Sequence, residues 1–193
     1  MKTEMACRKC GFQYNCYCDA IPSITSQLNF TLLTHPNERS RATNTGAILT
    51  RLLSNVDVEL WARQIPSEKL VTLPSPQQAV VLYPSDNSTE ISTLCDQDVS
   101  QAHIIVLDAT WQEAKKMLLR SPWLNALPKV HVAASQTSQY QLRRNQQAGN
   151  LCTFEVVSEV IAVLESQQTA LRMQEFFAHY LANFQAERSG HQR

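Results

Sequence analysis

A carboxylate, a hydroxyl and an indole occur together in Asp108-Ala109-Thr110-Trp111, where the apolar run Ile104-Ile105-Val106-Leu107 stops and a helical pattern from Trp111 to Arg120 begins. A strand that ends in a carboxylate and turns at once into a helix is a common ligand site in α/β proteins. The carboxyl ends of strands face the binding crevice, and free backbone N–H groups open the helix. Thr110 and Glu113 have the spacing of a capping box, in which the hydroxyl and the carboxylate each bond to the other's backbone. Asp108 stays open between two roles, a turn residue before a helix start and an acid acting on a ligand. Trp111 is followed by Ala114 and Leu118 at helical spacing, which predicts a core position. Its alternative is a platform for a stacked base.

The second group with chemistry is Cys7-x-x-Cys10 followed after five residues by Cys16-x-Cys18. Two short chelating pairs can give four thiolates to one tetrahedral ion, and zinc suits that geometry best. Gly11 after Cys10 lets the backbone turn tightly beneath the metal. Unpaired thiols or a redox pair are the alternatives. Four cysteine ligands leave no open coordination position, so the zinc expected here is structural. Cys95 falls outside the set, and Cys152 is expected to pack beside a helix start.

Composition sets outer bounds. The chain has 193 residues, with 17 Lys+Arg against 17 Asp+Glu, so no overall charge announces a polyanionic partner. Local basic clusters at Arg39/Arg41, Lys115/Lys116/Arg120 and Arg143/Arg144 lie near the motif segments; such clusters are usually solvated faces, and their grouping here adds weight to an RNA-facing surface. No signal peptide and no membrane-length apolar run are found, which predicts a cytoplasmic protein with no membrane partner, expected to be a monomer. Six cysteines in such a chain argue against a disulfide set.

The elements that must position these residues alternate. Strands are predicted at Leu28 to Thr34, Val56 to Trp61, Ala79 to Tyr83, His103 to Leu107 and Lys129 to Ala133, with helices between them. One helix begins near Thr43–Thr45 and runs through Leu53; another covers Trp111 to Arg120. Alternation of this kind gives an α/β fold with a mostly parallel sheet. Residues 1–20 are expected to form a zinc knuckle ordered by its metal, 21–185 the catalytic domain and 186–193 a disordered tail. Pro84 to Ser100 reads as a polar surface excursion with partial helix. After Cys152, Phe154, Val157, Ile161 and Leu164 form one apolar stripe and Val156, Val160 and Val163 a second, which predicts burial on two sides. A last helix is expected from Thr169 to Phe184, with Gln185 to Arg193 frayed.

Glycine use excludes several classes. Only Gly11, Gly46, Gly149 and Gly190 occur, so neither a G-x-G-x-x-G turn nor a P-loop is possible. Rossmann-type methyltransferases, dehydrogenases and phosphoryl-transfer enzymes are disfavoured accordingly.

Beyond Asp108-x-Thr110-Trp111, the pattern continues through Gln112-Glu113-Ala114-Lys115-Lys116-Met117, Arg120-Ser121-Pro122 and Asn125-Ala126-Leu127-Pro128. It resumes at Tyr140-Gln141-Leu142-Arg143-Arg144 and Cys152-Thr153-Phe154-Glu155, and upstream it includes Thr43-Asn44-Thr45-Gly46, Val81-Leu82-Tyr83-Pro84-Ser85 and the cysteine cluster. In these segments and their order the chain resembles the DTW-domain tRNA-uridine aminocarboxypropyltransferases, with the bacterial branch the best fit. Ala109 stands where members often have Gly, a departure that touches only the loop conformation. The resemblance implies a SPOUT-like core, a fold whose knotted form holds S-adenosylmethionine in loops. It also implies transfer of the 3-amino-3-carboxypropyl group of S-adenosylmethionine to N3 of a tRNA uridine, with release of methylthioadenosine. On this reading Asp108 accepts the N3 proton or contacts it, with Thr110 and Trp111 beside it in the catalytic turn. The cofactor rests against Thr43, Asn44, Thr45, Gly46, Tyr83, Pro84, Ser85 and Asp108. Arg143 and Arg144 take phosphates, Tyr140 or Trp111 stacks a flipped base, and Lys115, Lys116 and Glu155 complete the RNA side. The plainer readings of these residues are N-capping at Asn44–Gly46, solvated arginines, a packed tyrosine and a helix-dipole partner at Glu155.

Three other functions remain open: a SPOUT-like RNA methyltransferase using the same cofactor, an aminocarboxypropyltransferase acting on ribosomal RNA, and a non-enzymatic zinc-knuckle RNA-binding module. An intact Asp108-x-Thr110-Trp111 beside Asn44-Thr45-Gly46 argues against the last.

Overall fold

The computed structural model describes residues 6–71, 79–95, 98, 102–133, 138, 140 and 151–190. Six strands form one sheet: β1 (Asn29–Thr34), β2 (Val56–Leu60), β3 (Ala79–Leu82), β4 (Thr89–Glu90), β5 (His103–Asp108) and β6 (Lys129–His131). Their order is β2-β1-β5-β3-β6-β4, and every pairing is parallel. The α/β expectation and the five predicted strands hold to within two residues at each end. β4 was not predicted. It lies in the segment expected to be a polar excursion, where Ile91 and Leu94 of the following 3₁₀ turn are nevertheless buried. Two apolar residues in a polar stretch are too few to show periodicity, which is why the pattern missed them.

Strand residues alternate between two cores, as the pleat requires. Phe30, Leu32, Val80, Leu82, Ile104 and Val106 face α1 (Gly46–Leu52), α5 (Thr153–Leu164) and α6 (Gln167–Ser189). Leu33, Val81, Ile105 and Leu107 face α3 (Trp111–Arg120) and α4 (Pro122–Asn125). A short helix, α2 (Glu68–Val71), adds Leu70 to the second core. β1 leads through α1 to β2 on one side, while β5 leads through α3 and α4 to β6 on the other. The neighbours β1 and β5 therefore send the chain in opposite directions over opposite faces. Such a reversal opens a crevice at the carboxyl ends of the two strands. Thr34 and Asp108, paired in register, form its floor.

Two expectations about helices need correction. The second stripe of α5 is only partly covered: Val160 is buried, Val156 half-buried and Val163 exposed. The helix thus lies against the sheet and α6 with its outer side facing solvent. Residues 141–150 lie outside the described residues. The last helix does not end at Phe184 but continues to Ser189, closed by Gly190 in the left-handed conformation (φ 67°). What holds the extra turn is Glu187, whose carboxylate accepts from the backbone N–H groups of Gln13, Tyr14 and Asn15.

That contact also ties the knuckle to the body. Tyr17 is buried in the main core, and Phe12 and Tyr17 pack edge and face against Phe176, Tyr180 and Phe184. The first segment is therefore a limb of the same hydrophobic core and does not depend on a metal alone. At the centre of that core Phe177 stacks on Phe154, with ring centroids 4.3 Å apart, and faces Tyr140 and Tyr180. Phe177→Ala should lower unfolding free energy by about 3–5 kcal/mol, as expected for a fully enclosed aromatic ring. Urea denaturation measures it, and a loss below about 1 kcal/mol would place the ring at the margin of the core.

Candidate active site and metal centre

Asp108 ends β5 and is 2% exposed. Its Oδ2 accepts from Asn44 Nδ2 at 2.9 Å and Thr34 Oγ1 at 3.1 Å, and its Oδ1 accepts from Thr153 Oγ1 at 3.0 Å. Each donor comes from a different element: the end of β1, the loop before α1 and the first residue of α5. Gly46 lies directly over this carboxylate. A Cβ there would stand 2.7 Å from Oδ1 and 2.8 Å from the carboxyl carbon, so any larger residue must displace the carboxylate. Burial raises the pKa of Asp108, opposed in part by the hydrogen bonds from Asn44, Thr153 and Thr34. Asn44 also caps the turn, its Oδ1 accepting from Ala47 N at 3.1 Å. The hydroxyl of Thr45 accepts from Phe154 N at 3.4 Å, and Tyr140 Oη donates to the carbonyl of Thr43 at 2.7 Å. All four residues of the Thr43-Asn44-Thr45-Gly46 segment are thus pinned around one buried acid.

The opposite side of the crevice carries a second tie. Glu113 closes the predicted capping box with Thr110, whose hydroxyl accepts from Glu113 N while the carboxylate accepts from Thr110 N at 3.0 Å. The same carboxylate receives both terminal nitrogens of Arg41 at 3.1 Å and Asn37 Nδ2 at 3.1 Å. Arg41 also pairs with Glu38, which is buried. Glu113 is pulled down to about 2: burial opposes this, and the hydrogen bonds from Thr110, Arg41 and Asn37 outweigh it. Glu38 is 2% exposed and pairs with Arg41, so it belongs to the interior of this loop. Arg41, occupied by two carboxylates, is not a solvated member of a basic cluster.

The other predicted residues fall into three groups. Trp111 is 38% exposed and tilts toward Tyr83 with ring centroids 6.0 Å apart. The core position predicted by its spacing does not hold, because Trp111 is the first residue of α3. Side chains lean toward a helix N-terminus, and here that direction leads past the strand ends and away from the sheet. Pro84 and Ser85 follow Tyr83 along the same edge, where Ser85 closes a turn with Ser88. Lys115 and Lys116 are exposed on α3. Tyr140 is 2% exposed, packed near Phe177 and hydrogen-bonded to Thr43, so its ring is unavailable for stacking a base. Glu155 is turned inward: it accepts from Cys152 N, Tyr140 N and Ser138 Oγ and so organises the start of α5. The predicted phosphate contacts Arg143 and Arg144 lie outside the described residues.

At the far end of α1, Cys7, Cys10, Cys16 and Cys18 bring their sulfurs within 4.8 Å of one another. Three of the separations are 3.8, 3.7 and 3.5 Å. A tetrahedral zinc–thiolate site with bonds near 2.3 Å has S···S edges of about 3.8 Å, so the four residues fit a single ion. Backbone N–H groups of Cys10 and Lys9 and the Cys16 side chain pull the Cys7 thiol down to about 6. Gly11 takes a positive φ of 77°, as the turn beneath the cluster requires.

The comparisons with known proteins bear on this arrangement. Residues 4–185 match the DTW domain. The chain belongs to the DTW-domain family. It is 29% identical over 161 residues to a tRNA-uridine aminocarboxypropyltransferase 2 of Drosophila melanogaster, covering 79% of this chain and 63% of that protein. With the protein of the same name from Mus musculus it shares 27% over 179 residues, or 86% of this chain and 60% of that one. A tRNA-uridine aminocarboxypropyltransferase A of Arabidopsis thaliana is 30% identical over 124 residues, 55% and 47% of the two chains. This chain thus spans about three fifths of the length of the first two relatives. No solved structure matches it.

Several residues of this DTW-domain site escaped the sequence reading. Thr34 and Thr153 donate to Asp108, yet isolated threonines at a strand end and a helix start carry no signal of their own. Gly46 was assigned to a helix start, but the feature that requires glycine is the acid 62 positions later, which only the fold reveals. Gly46→Ala tests that constraint by its sign. At an open helical position the change stabilises by about 1 kcal/mol. Here displacement of the carboxylate should cost about 1–3 kcal/mol, seen as a lower melting temperature. An increase would show that the carboxylate has room to move.

The depressed pKa of Glu113 gives a second test. Its native value lies below its ordinary 4.5, so its contribution to stability is complete above that pH and is lost as pH falls through about 2. Thermal melts from pH 6 to pH 2 should therefore show the parent losing its advantage over Glu113→Gln across that window. Parallel curves would remove Glu113 from the acid response.

Proposed function

We propose that this chain is a tRNA-uridine aminocarboxypropyltransferase using S-adenosylmethionine. The observation that carries the reading is the convergence of Asn44, Gly46 and Asp108 at the crevice between β1 and β5, in a chain of the DTW family. The activity for which the relatives are named supports it. In the reaction the uridine N3–H loses its proton, N3 bonds to the γ-carbon of the methionyl arm, and the carbon–sulfur bond breaks to release methylthioadenosine. The sulfonium makes that carbon electrophilic, and the protein's part is to present it in line with N3. We assign the Thr43–Gly46 turn and the Tyr83–Ser85 edge to the cofactor pocket, Thr110 to closure of the catalytic turn and the exposed Trp111 to stacking of the uridine. Lys115 and Lys116, on the outer side of the same helix, take RNA phosphates. Arg143 and Arg144 keep that role as a proposal from sequence. We assign zinc, as a structural ion, to the four cysteines. Their gathering into one tetrahedral set supports a reducing compartment and hence the cytoplasm. Among the described residues no helix is long and apolar enough to cross a membrane. The all-parallel sheet supports a SPOUT-like core.

Asp108 takes a different role from the one its position suggested. With 2% exposure and three donors already on its oxygens, it is built to hold the cofactor turn in place. A general base must reach the proton it removes. We therefore make Asp108 a positioning residue. Asn cannot accept at both of its side-chain heteroatoms, so Asp108→Asn should lower the melting temperature and weaken S-adenosylmethionine binding about tenfold or more, the cost of one unsatisfied buried group. Incubation with S-adenosylmethionine and unmodified tRNA should yield methylthioadenosine from the parent. Adenosylhomocysteine would identify a methyltransferase, and no transfer would overturn the proposal. A variant with parental melting and KM but kcat reduced by about 10²–10⁴ would return Asp108 to the role of base.

A further inference from the structure

The cysteine cluster and the Asp108 pocket lie at opposite ends of a single short helix. α1 has seven residues, hence a length of about 10 Å. Its first residue, Gly46, roofs Asp108. In its last turn Arg51 sends Nη2 to Cys18 Sγ at 3.1 Å and lays its guanidinium carbon 5.0 Å from the centre of the Tyr17 ring. Its other terminal nitrogen, Nη1, is buried with no hydrogen-bond partner. An arginine placed so, with one fork unsatisfied, needs an electrostatic reason. The cysteine set supplies one. Four thiolates around a divalent ion leave a net double negative charge, and Arg51 is the cation in contact with it. The aromatic ring stabilises the guanidinium from the other side.

We propose that Arg51 is the outer-sphere charge partner of the zinc centre and that the centre, through Arg51, anchors the C-terminal end of α1. Metal occupancy then governs the order of the whole helix, including the Asn44–Gly46 turn over Asp108. A helix this short has no stability of its own: Ile48, Leu49 and Leu52 seat its inner face in the main core, and contacts at its two ends fix its turns. One end is gripped by Asp108 and Asn44. At the other, the backbone bridge from Leu53 to Ile24 holds the strand that follows, and the Cys18–Arg51 contact holds the helix itself. The outer-sphere role also explains the choice of arginine: its planar fork can donate to a sulfur while its face rests on a ring, which a lysine ammonium cannot do in the same way.

This inference rests on zinc being the ion at the four cysteines, and the experiment separates the two. Elemental analysis of the parent, purified without added metal, should find about one zinc per chain; near-zero zinc overturns the metal assignment itself. With that established, competition against a chromophoric chelator should show Arg51→Met binding zinc about 10–100-fold more weakly than the parent, the usual effect of losing an outer-shell partner, with Arg51→Lys between them. Hydrogen exchange of the segment 43–53 in the parent should rise when the metal is stripped, as well as that of 7–18. Zinc affinity of Arg51→Met within twofold of the parent overturns the charge-partner role. Unchanged exchange in 43–53 upon stripping, with 7–18 loosened, overturns the anchoring of α1. The stripping arm uses the parent alone, so it decides that point even if Arg51→Met does not fold.

Discussion

A buried carboxylate held, among the described residues, by neutral donors is the constraint on which this fold turns. Taking Asp108 out of water is costly, and the molecule offsets that cost with two hydroxyls and an amide in place of a counter-ion. The three donors stand 74, 64 and 45 positions away in the chain. Remove the acid, and the end of β1, the start of α1 and the start of α5 lose the one atom group they share. Put a bulkier residue at Gly46, and the roof no longer closes. The carboxylate acts here as a nail through three boards.

Its position follows from topology. Because β1 and β5 are neighbours that depart over opposite faces, a gap opens at their carboxyl ends. The chain bridges this gap with the segment from His35 to Thr45, and two acids secure it. Asp108 takes the α1 side. Glu113, through Arg41 and Asn37, takes the α3 side. The two acids sit in different electrostatic surroundings, since Glu113 has a guanidinium and a helix start beside it, while the partners of Asp108 among the described residues are neutral. Their pKa values are accordingly driven in opposite directions. A loop held on both margins presents a fixed wall to the crevice, and Trp111 and Tyr83 form the open aromatic edge opposite.

Much of this was readable from residue order. Alternating apolar runs gave five of the six strands, the capping box at Thr110 and Glu113 fixed the start of α3, and the cysteine spacing gave the four-thiol cluster. What escaped shares one cause: it depends on which segments meet. Trp111 has core spacing but sits at the rim, and Tyr140 looks like a stacking platform but is packed beneath the Thr43 carbonyl. Arg41 stands in a basic cluster by sequence but is taken up by the carboxylates of Glu38 and Glu113. Periodicity reports the face of an element, not how far that element extends past its neighbours. Side-chain type reports what a residue can donate or accept, and only the tertiary fold decides who receives it.

The grip of Glu187 on residues 13–15 has a consequence for biosynthesis. The contact joins positions 174 apart, so the knuckle cannot be completed until nearly the whole described chain has been made. At roughly 5–20 residues per second, translation leaves the first four thiols waiting about ten to thirty seconds for their support. During that interval the cysteines form a loose, flexible chelator on a nascent chain, open to metal exchange and to oxidation. The last turn of α6 ends the interval. It thereby couples the closing of the cysteine cluster to the arrival of the C-terminal helix.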